Sequence, residues 1–210
     1  MLARYHVSMA IPRNVLSAVE SMGQGNQNSG QGGSGAAAAP ALDSKALQLR
    51  LGPAKSPESC RDELAKIFGV RKTEVALLRL ENGLLKFLFP QELTTAGSIP
   101  VSSSTAVAAH TAVTKKVELF NNFTKVKHAS IFESIKPGGE QGEDLPPATI
   151  HKLMSAPVLD KGDTVLGVVQ ICHKGFDLAS SGPDFTLDDL RQLELAAKVL
   201  AQSEFMRVSG

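Results

Sequence analysis

Between Ser56 and Gly69 the apolar residues fall at Cys60, Leu64, Ile67 and Phe68, a spacing of i, i+4, i+7 and i+8 that places them on one face of a helix. Ser56 stands at the N-cap, Pro57 at the first helical position and Gly69 just past the end. The period then shortens to two. EVALLRL (74–80) and LLKFLFP (84–90) flank Asn82-Gly83, a pair suited to a two-residue turn because both central residues take positive φ. A hairpin is predicted. If Glu81 pairs with Leu84, one face carries Ala76, Leu78, Leu80, Leu85, Phe87 and Phe89. The other carries Val75, Leu77, Arg79, Glu81, Leu84, Lys86 and Leu88 and is only partly apolar. One face should therefore cover a core and the other lie under a helix or under the stems of charged side chains.

The next segment, GSIPVSSSTAVAAHTAVTKKVELFNN, reads as a short extended piece, a polar cluster at 102–105, a helix of small residues over 105–113 and a strand over 116–120. A less regular stretch follows, including KPGGEQGEDLPP, whose Pro and Gly content disfavours regular structure. Two strands, 149–159 and 164–174, are joined by Asp160-Lys161-Gly162-Asp163 as a second hairpin. The second of them is apolar on both faces through its middle except at Gln170, which predicts a place at the centre of a sheet. Thr186 and Asp189 open the last helix as a capping box, and Leu190, Leu193, Ala197 and Leu200 form its inward stripe. Leu195, Val199 and Met206 form a second stripe, suited either to a dimer seam or to a neighbouring element.

Upstream, Ser21 to Leu42 holds no charged residue and consists mainly of Gly, Gln, Asn, Ser and Ala, so it cannot bury enough apolar area to offset its backbone entropy. A flexible linker is expected, preceded by Arg13 to Met22 as either a short amphipathic helix or a disordered tail. The predicted organisation is an arm over 1–46 and one folded domain over 47–208.

Composition narrows the function. The 210 residues carry a formal charge of +1, no Trp and a single Tyr. That balance supplies neither the clustered cations nor the aromatic platforms of a nucleic-acid binder, and gives no reason for an anionic membrane surface. Two cysteines, Cys60 and Cys172, make neither a disulfide framework nor a zinc site, so a reducing cytoplasm is the expected compartment. No run approaches the roughly 18 apolar residues of a membrane span, and Arg4 and Arg13 enclose only a short mixed segment rather than a secretory core.

The strand Thr164 to Lys174, with its internal Gly167 and terminal Lys174, followed by Phe185, Thr186 and Asp189, resembles the closing signature of GAF domains. LMSAPVLDKGDTVLGVVQICHK is similar to that family's penultimate hairpin, with Pro157 at the usual proline position. The resemblance implies an α+β, profilin-like fold: a central antiparallel sheet of five or six strands with helices on both faces. It also implies a small-molecule-binding sensory or regulatory module in signal transduction, not an enzyme, working as a homodimer with a signalling partner protein. The ligand and any cofactor stay unidentified, and no metal is expected.

Carried onto this chain, the family's pocket would be lined by Ser103, Ser104, Thr105, His110, Asn121, Asn122, His128 and Phe132. The cyclic-nucleotide branch pairs Asn-Lys with a later Phe and Asp-Glu. Here those places hold His173, Lys174, Phe185, Asp189 and Leu190, so the Asn and Glu are missing. Cys172-His173 ends a strand instead of lying where bilin-carrying relatives attach their chromophore, and a haem would need His110, His128 or His151. Two other readings stand beside the sensor: an interaction or dimerisation scaffold without a ligand, and a free methionine sulfoxide reductase. The reductase needs accessible thiolates, which a core helix position for Cys60 and a central strand position for Cys172 do not offer. Lys115, Lys116, Lys125, Lys127 and His128 form the most basic stretch, either a solvated positive face or a recognition surface for an anion.

Overall fold

The computed structural model describes residues 42–94, 97–125 and 149–207. Residues 1–41 with the Arg13–Met22 segment, the loop leading to Pro147, and the candidates His128 and Phe132 lie outside the described residues.

The first element, α1 (Ser44–Leu51), opens at Asp43, whose carboxylate accepts the Ala46 N–H at 2.8 Å. The periodicity reading does not anticipate it, because only Leu47 and Leu51 of its eight residues are buried. Helix α2 (Pro57–Phe68) starts and stops where the caps predict, with Ser56 and Ser59 bonded reciprocally and Gly69 closing it. Strands β1 (Val75–Glu81) and β2 (Leu84–Phe89) meet at the Asn82-Gly83 turn, where φ is 50° and 78°. The remaining strands and α-helices among the described residues are β3 (Ser98–Pro100), α3 (Val107–Thr114), β4 (Glu118–Phe120), β5 (Thr149–Leu159), β6 (Val165–Gly175) and α4 (Leu187–Leu200).

The strands form one antiparallel sheet of six in the order β3-β2-β1-β6-β5-β4. β6 lies in its middle, as its apolar sequence requires. Gly167 lets it do so. A Cβ there would stand 2.0 Å from the Leu78 carbonyl oxygen and 2.7 Å from Met206 Cε. This is the α+β architecture expected from the sequence.

Two cores lie on opposite faces of the sheet. On one, α1, α2 and α4 cover Val75, Leu77, Met154, Ala156, Val169 and Ile171 with Leu47, Leu64, Leu193 and Leu200 among others. On the other, Ala76, Leu78, Leu85, Phe87, Ile150, Leu153, Val168 and Cys172 pack with Val107, Ala108 and Ala112 of α3. Each fully buried Leu contributes about 2 kcal/mol, so neither core is dispensable.

One sequence expectation is corrected and one open alternative is resolved. Phe89 does not share a face with Phe87. Leu77 pairs with Phe89 and Leu78 with Phe87, so a bulge at Leu88 turns Phe89 to the α2 side, where the Arg61 guanidinium lies 4.2 Å from its ring centre. Of the second stripe on the last helix, Val199 and Met206 are buried and Leu195 is half-buried in the core beneath α1 and α4. That stripe serves packing inside the chain.

Candidate functional site

The α3 face of the sheet carries polar groups where its neighbours are apolar. Gln170 of β6 pairs across the ladder with Ser155 of β5 and on the other side with Ala76 of β1. One amide N–H of Gln170 donates to Ser155 Oγ at 3.2 Å. Helix α3 can come close because residues 107–112 include three alanines, and it brings Thr111 Oγ1 to 2.7 Å from Ser155 Oγ and 2.6 Å from Glu118 Oε2. Thr111 has a single hydroxyl proton. It gives that proton to the carboxylate and takes one from Ser155. His110 Nδ1 lies 2.8 Å from Glu118 Oε1 and, as an N–H, donates to it.

The result is a directed chain of hydrogen bonds from the middle of the sheet to the surface, with Glu118 as its terminal acceptor. Gln170, Ser155 and Thr111 are buried, Glu118 is half-buried and His110 is exposed. The bond to Ser155 Oγ is the hydrogen bond that ties the Gln170 side chain into the chain of polar groups.

At the far end of β6 a second polar group holds the sheet together. Glu74, just before β1, accepts Arg71 Nη2 at 2.6 Å, the Arg71 N–H at 2.8 Å and the Lys174 N–H at 2.7 Å. Burial pushes its carboxyl up, but these hydrogen bonds outweigh burial and leave it below the ordinary range. His173 stacks on Phe185 with ring centres 4.3 Å apart and planes 8° from parallel. Burial drives its pKa below the ordinary value, helped by Lys152 and Arg71 and opposed by Glu74 and Asp189. Lys152, itself buried, reaches the Gly182 carbonyl at 2.5 Å and Asp184 at 2.9 Å.

The sequence from residue 58 to residue 203 matches the GAF domain family over most of the chain. This chain belongs to the GAF domain family. Solved relatives agree on the fold. The GAF domain of a phosphoenolpyruvate-protein phosphotransferase from Acinetobacter superposes with TM-score 0.52 at 14% identity, over 75% of this chain and 87% of that one. The corresponding GAF domain from Coxiella burnetii gives 0.52 at 12% identity, over 75% and 88%. The GAF domain of A. aeolicus nlh2, in an inactive state, gives 0.50 at 12%, over 75% and 90%. A search of curated proteins returns no match.

Within this GAF domain the predicted lining residues divide. Ser103, Ser104 and Thr105 form the turn ahead of α3, with Ser103 Oγ 3.4 Å from Thr105 Oγ1, and Ser104 and Thr105 exposed. His110 joins the polar chain. Asn121 instead has its amide engaged with the main chain of Phe185, donating to the carbonyl and accepting the N–H, both at 2.9 Å. Asn122 accepts the Thr124 hydroxyl at 3.0 Å. Thr111, Ser155 and Glu118 were not singled out by sequence reasoning. The signal available was a polar residue inside an otherwise apolar strand, visible at Gln170 and equally present at Ser155.

The two thiols lie apart. Cys60 belongs to the core beneath α2 and α4 and Cys172 to the core beneath α3, so the sheet separates them. Burial, with Glu63 nearby, pushes the Cys60 thiol up to about 12.

Proposed function

We propose that this GAF domain is a sensory or regulatory module that binds a small molecule on the α3 face of its sheet. The observation that carries the reading is the Gln170 amide, a polar group buried in the otherwise apolar middle of that face and hydrogen-bonded to Ser155, which Thr111 joins in turn. Small-molecule sites are apolar surfaces with a few fixed polar groups that set orientation. Here the apolar surface is Leu78, Phe87, Leu153 and Val168, and the orienting groups are Gln170 and Ser155. The ligand class that suits them offers both an acceptor and a donor, as a carboxamide, a lactam or a nucleobase edge does.

The module acts by binding and not by catalysis. Sulfoxide reduction by thiol chemistry needs a thiolate and a second thiol within reach, whereas here the sheet stands between Cys60 and Cys172. Output to signalling then passes through a partner protein. Native mass spectrometry of the freshly purified chain, set beside its denatured mass, tests the reading. A bound mass of small-molecule size released on denaturation is expected. Equal native and denatured masses would favour a scaffold whose face is filled by its own side chains.

A further inference from the structure

We infer that the cleft between the β5–β6 hairpin and α4 is a second binding site, for a small organic carboxylate with an apolar body. The cleft holds about 630 Å³, within the range of about 300–1,000 Å³ common to small-molecule sites. It contains none of the polar chain on the α3 face. β4 pairs with β5 only at Leu153–Ser155, so beyond Ser155 no strand among the described residues flanks that edge of β5. The chain at 115–117 and α4 form the other walls. Pro157 has no N–H to offer, which makes this edge poor for adding a peptide strand. With Val117 and Leu159 it gives the cleft an apolar floor.

Charge selects the ligand's polar end. Four lysines reach the cleft from three parts of the chain, against three acids. All three acids are engaged within the protein. Asp163 binds Lys115 at 2.9 Å and Glu194 binds Lys198 at 2.9 Å. Asp160 accepts the N–H groups of Gly162 and Thr164, both at 2.8 Å, and these hydrogen bonds hold its carboxyl below the ordinary range. Lys116 and Lys161 have no carboxylate partner among the described residues. The basic stretch noted in the sequence at Lys115 and Lys116 thus meets Lys161 and Lys198 over an apolar floor, an arrangement that suits an anionic head joined to an apolar ring or chain.

Titration of the 15N-labelled full chain with 2-naphthoate, and separately with uncharged 2-naphthamide, tests this by NMR. Naphthoate should give saturable shifts at Lys116, at residues 160–163 and at Lys198, and its affinity should fall as salt is raised. A Lys116→Ala/Lys161→Ala double variant, altered only at exposed positions, should bind about tenfold more weakly, while Lys45→Ala on α1 should bind as the parent does. Any one of four results overturns the proposal: no saturable shift, equal affinity for the amide, an unchanged double variant, or shifts confined to α3 and the sheet face beneath it.

Discussion

At the scale of single residues, the most informative positions are those where a polar or absent side chain sits in an apolar setting. Gly167 is the plainest. A Cβ would collide with the Leu78 carbonyl of the adjoining strand, so Gly167→Ala should cost about 3 kcal/mol or more in denaturant unfolding. The titrating groups give a signed pH dependence. His173 is held neutral, with a folded pKa below its ordinary 6.5. Its contribution is therefore present above pH 6.5 and is lost as pH falls below that value, when the unfolded chain takes up the proton more readily. Glu74 has the same sign one window lower: its contribution is present above its ordinary 4.5 and lost as pH falls below it. Stability measured against pH should decline in two stages. His173→Phe, which keeps a ring on Phe185, should remove the upper stage and spare the lower one. A single stage confined below pH 4.5 in the parent chain would contradict the account of His173.

At the scale of elements, most of the plan was legible in the sequence. The caps at Ser56 and Thr186, the Asn82-Gly83 turn and the central placement of β6 follow from local rules that tertiary packing did not override. Two features were not legible. α1 buries too few residues to produce a periodic signal, and the bulge at Leu88 reverses Phe89 without any mark in the alternation before it. Phe89→Ala should accordingly disturb the α2 core and cost about 3–4 kcal/mol, and the Cys60 thiol beneath α2 should become more reactive. Asn121 reports on a contact between elements. It ties the end of β4 to the residue preceding the Thr186 cap, so Asn121→Ala should cost about 1–2 kcal/mol. Hydrogen exchange should rise in the first turn of α4 and not in α2; equal rises in both helices would contradict a local clamp.

At the scale of the whole molecule, the sheet acts as a partition. Three helices close one face, while the other, which also holds the buried polar chain, is covered by α3 together with Leu93 and Phe123. The candidate site was legible only in outline, because the family resemblance points to the face but not to the side chains on it. Of the predicted lining, His110 lies on the polar chain while Asn121 is committed to Phe185. Thr111 and Ser155 emerge only once α3 is laid on the sheet, since their contact spans 44 positions of sequence. The partition also predicts chemistry: neither Cys60 nor Cys172 should react with Ellman's reagent in the native state, and both should react in denaturant. The claim that the α3 face is a ligand site is tested most directly by thermal unfolding against a panel of metabolites bearing amide, lactam or nucleobase groups. The account predicts that one class raises the melting temperature saturably, as RT ln(1 + [L]/Kd) requires, and that Gln170→Leu folds but loses the rise. A rise of equal size in Gln170→Leu, or no rise with any member of the panel, would contradict it.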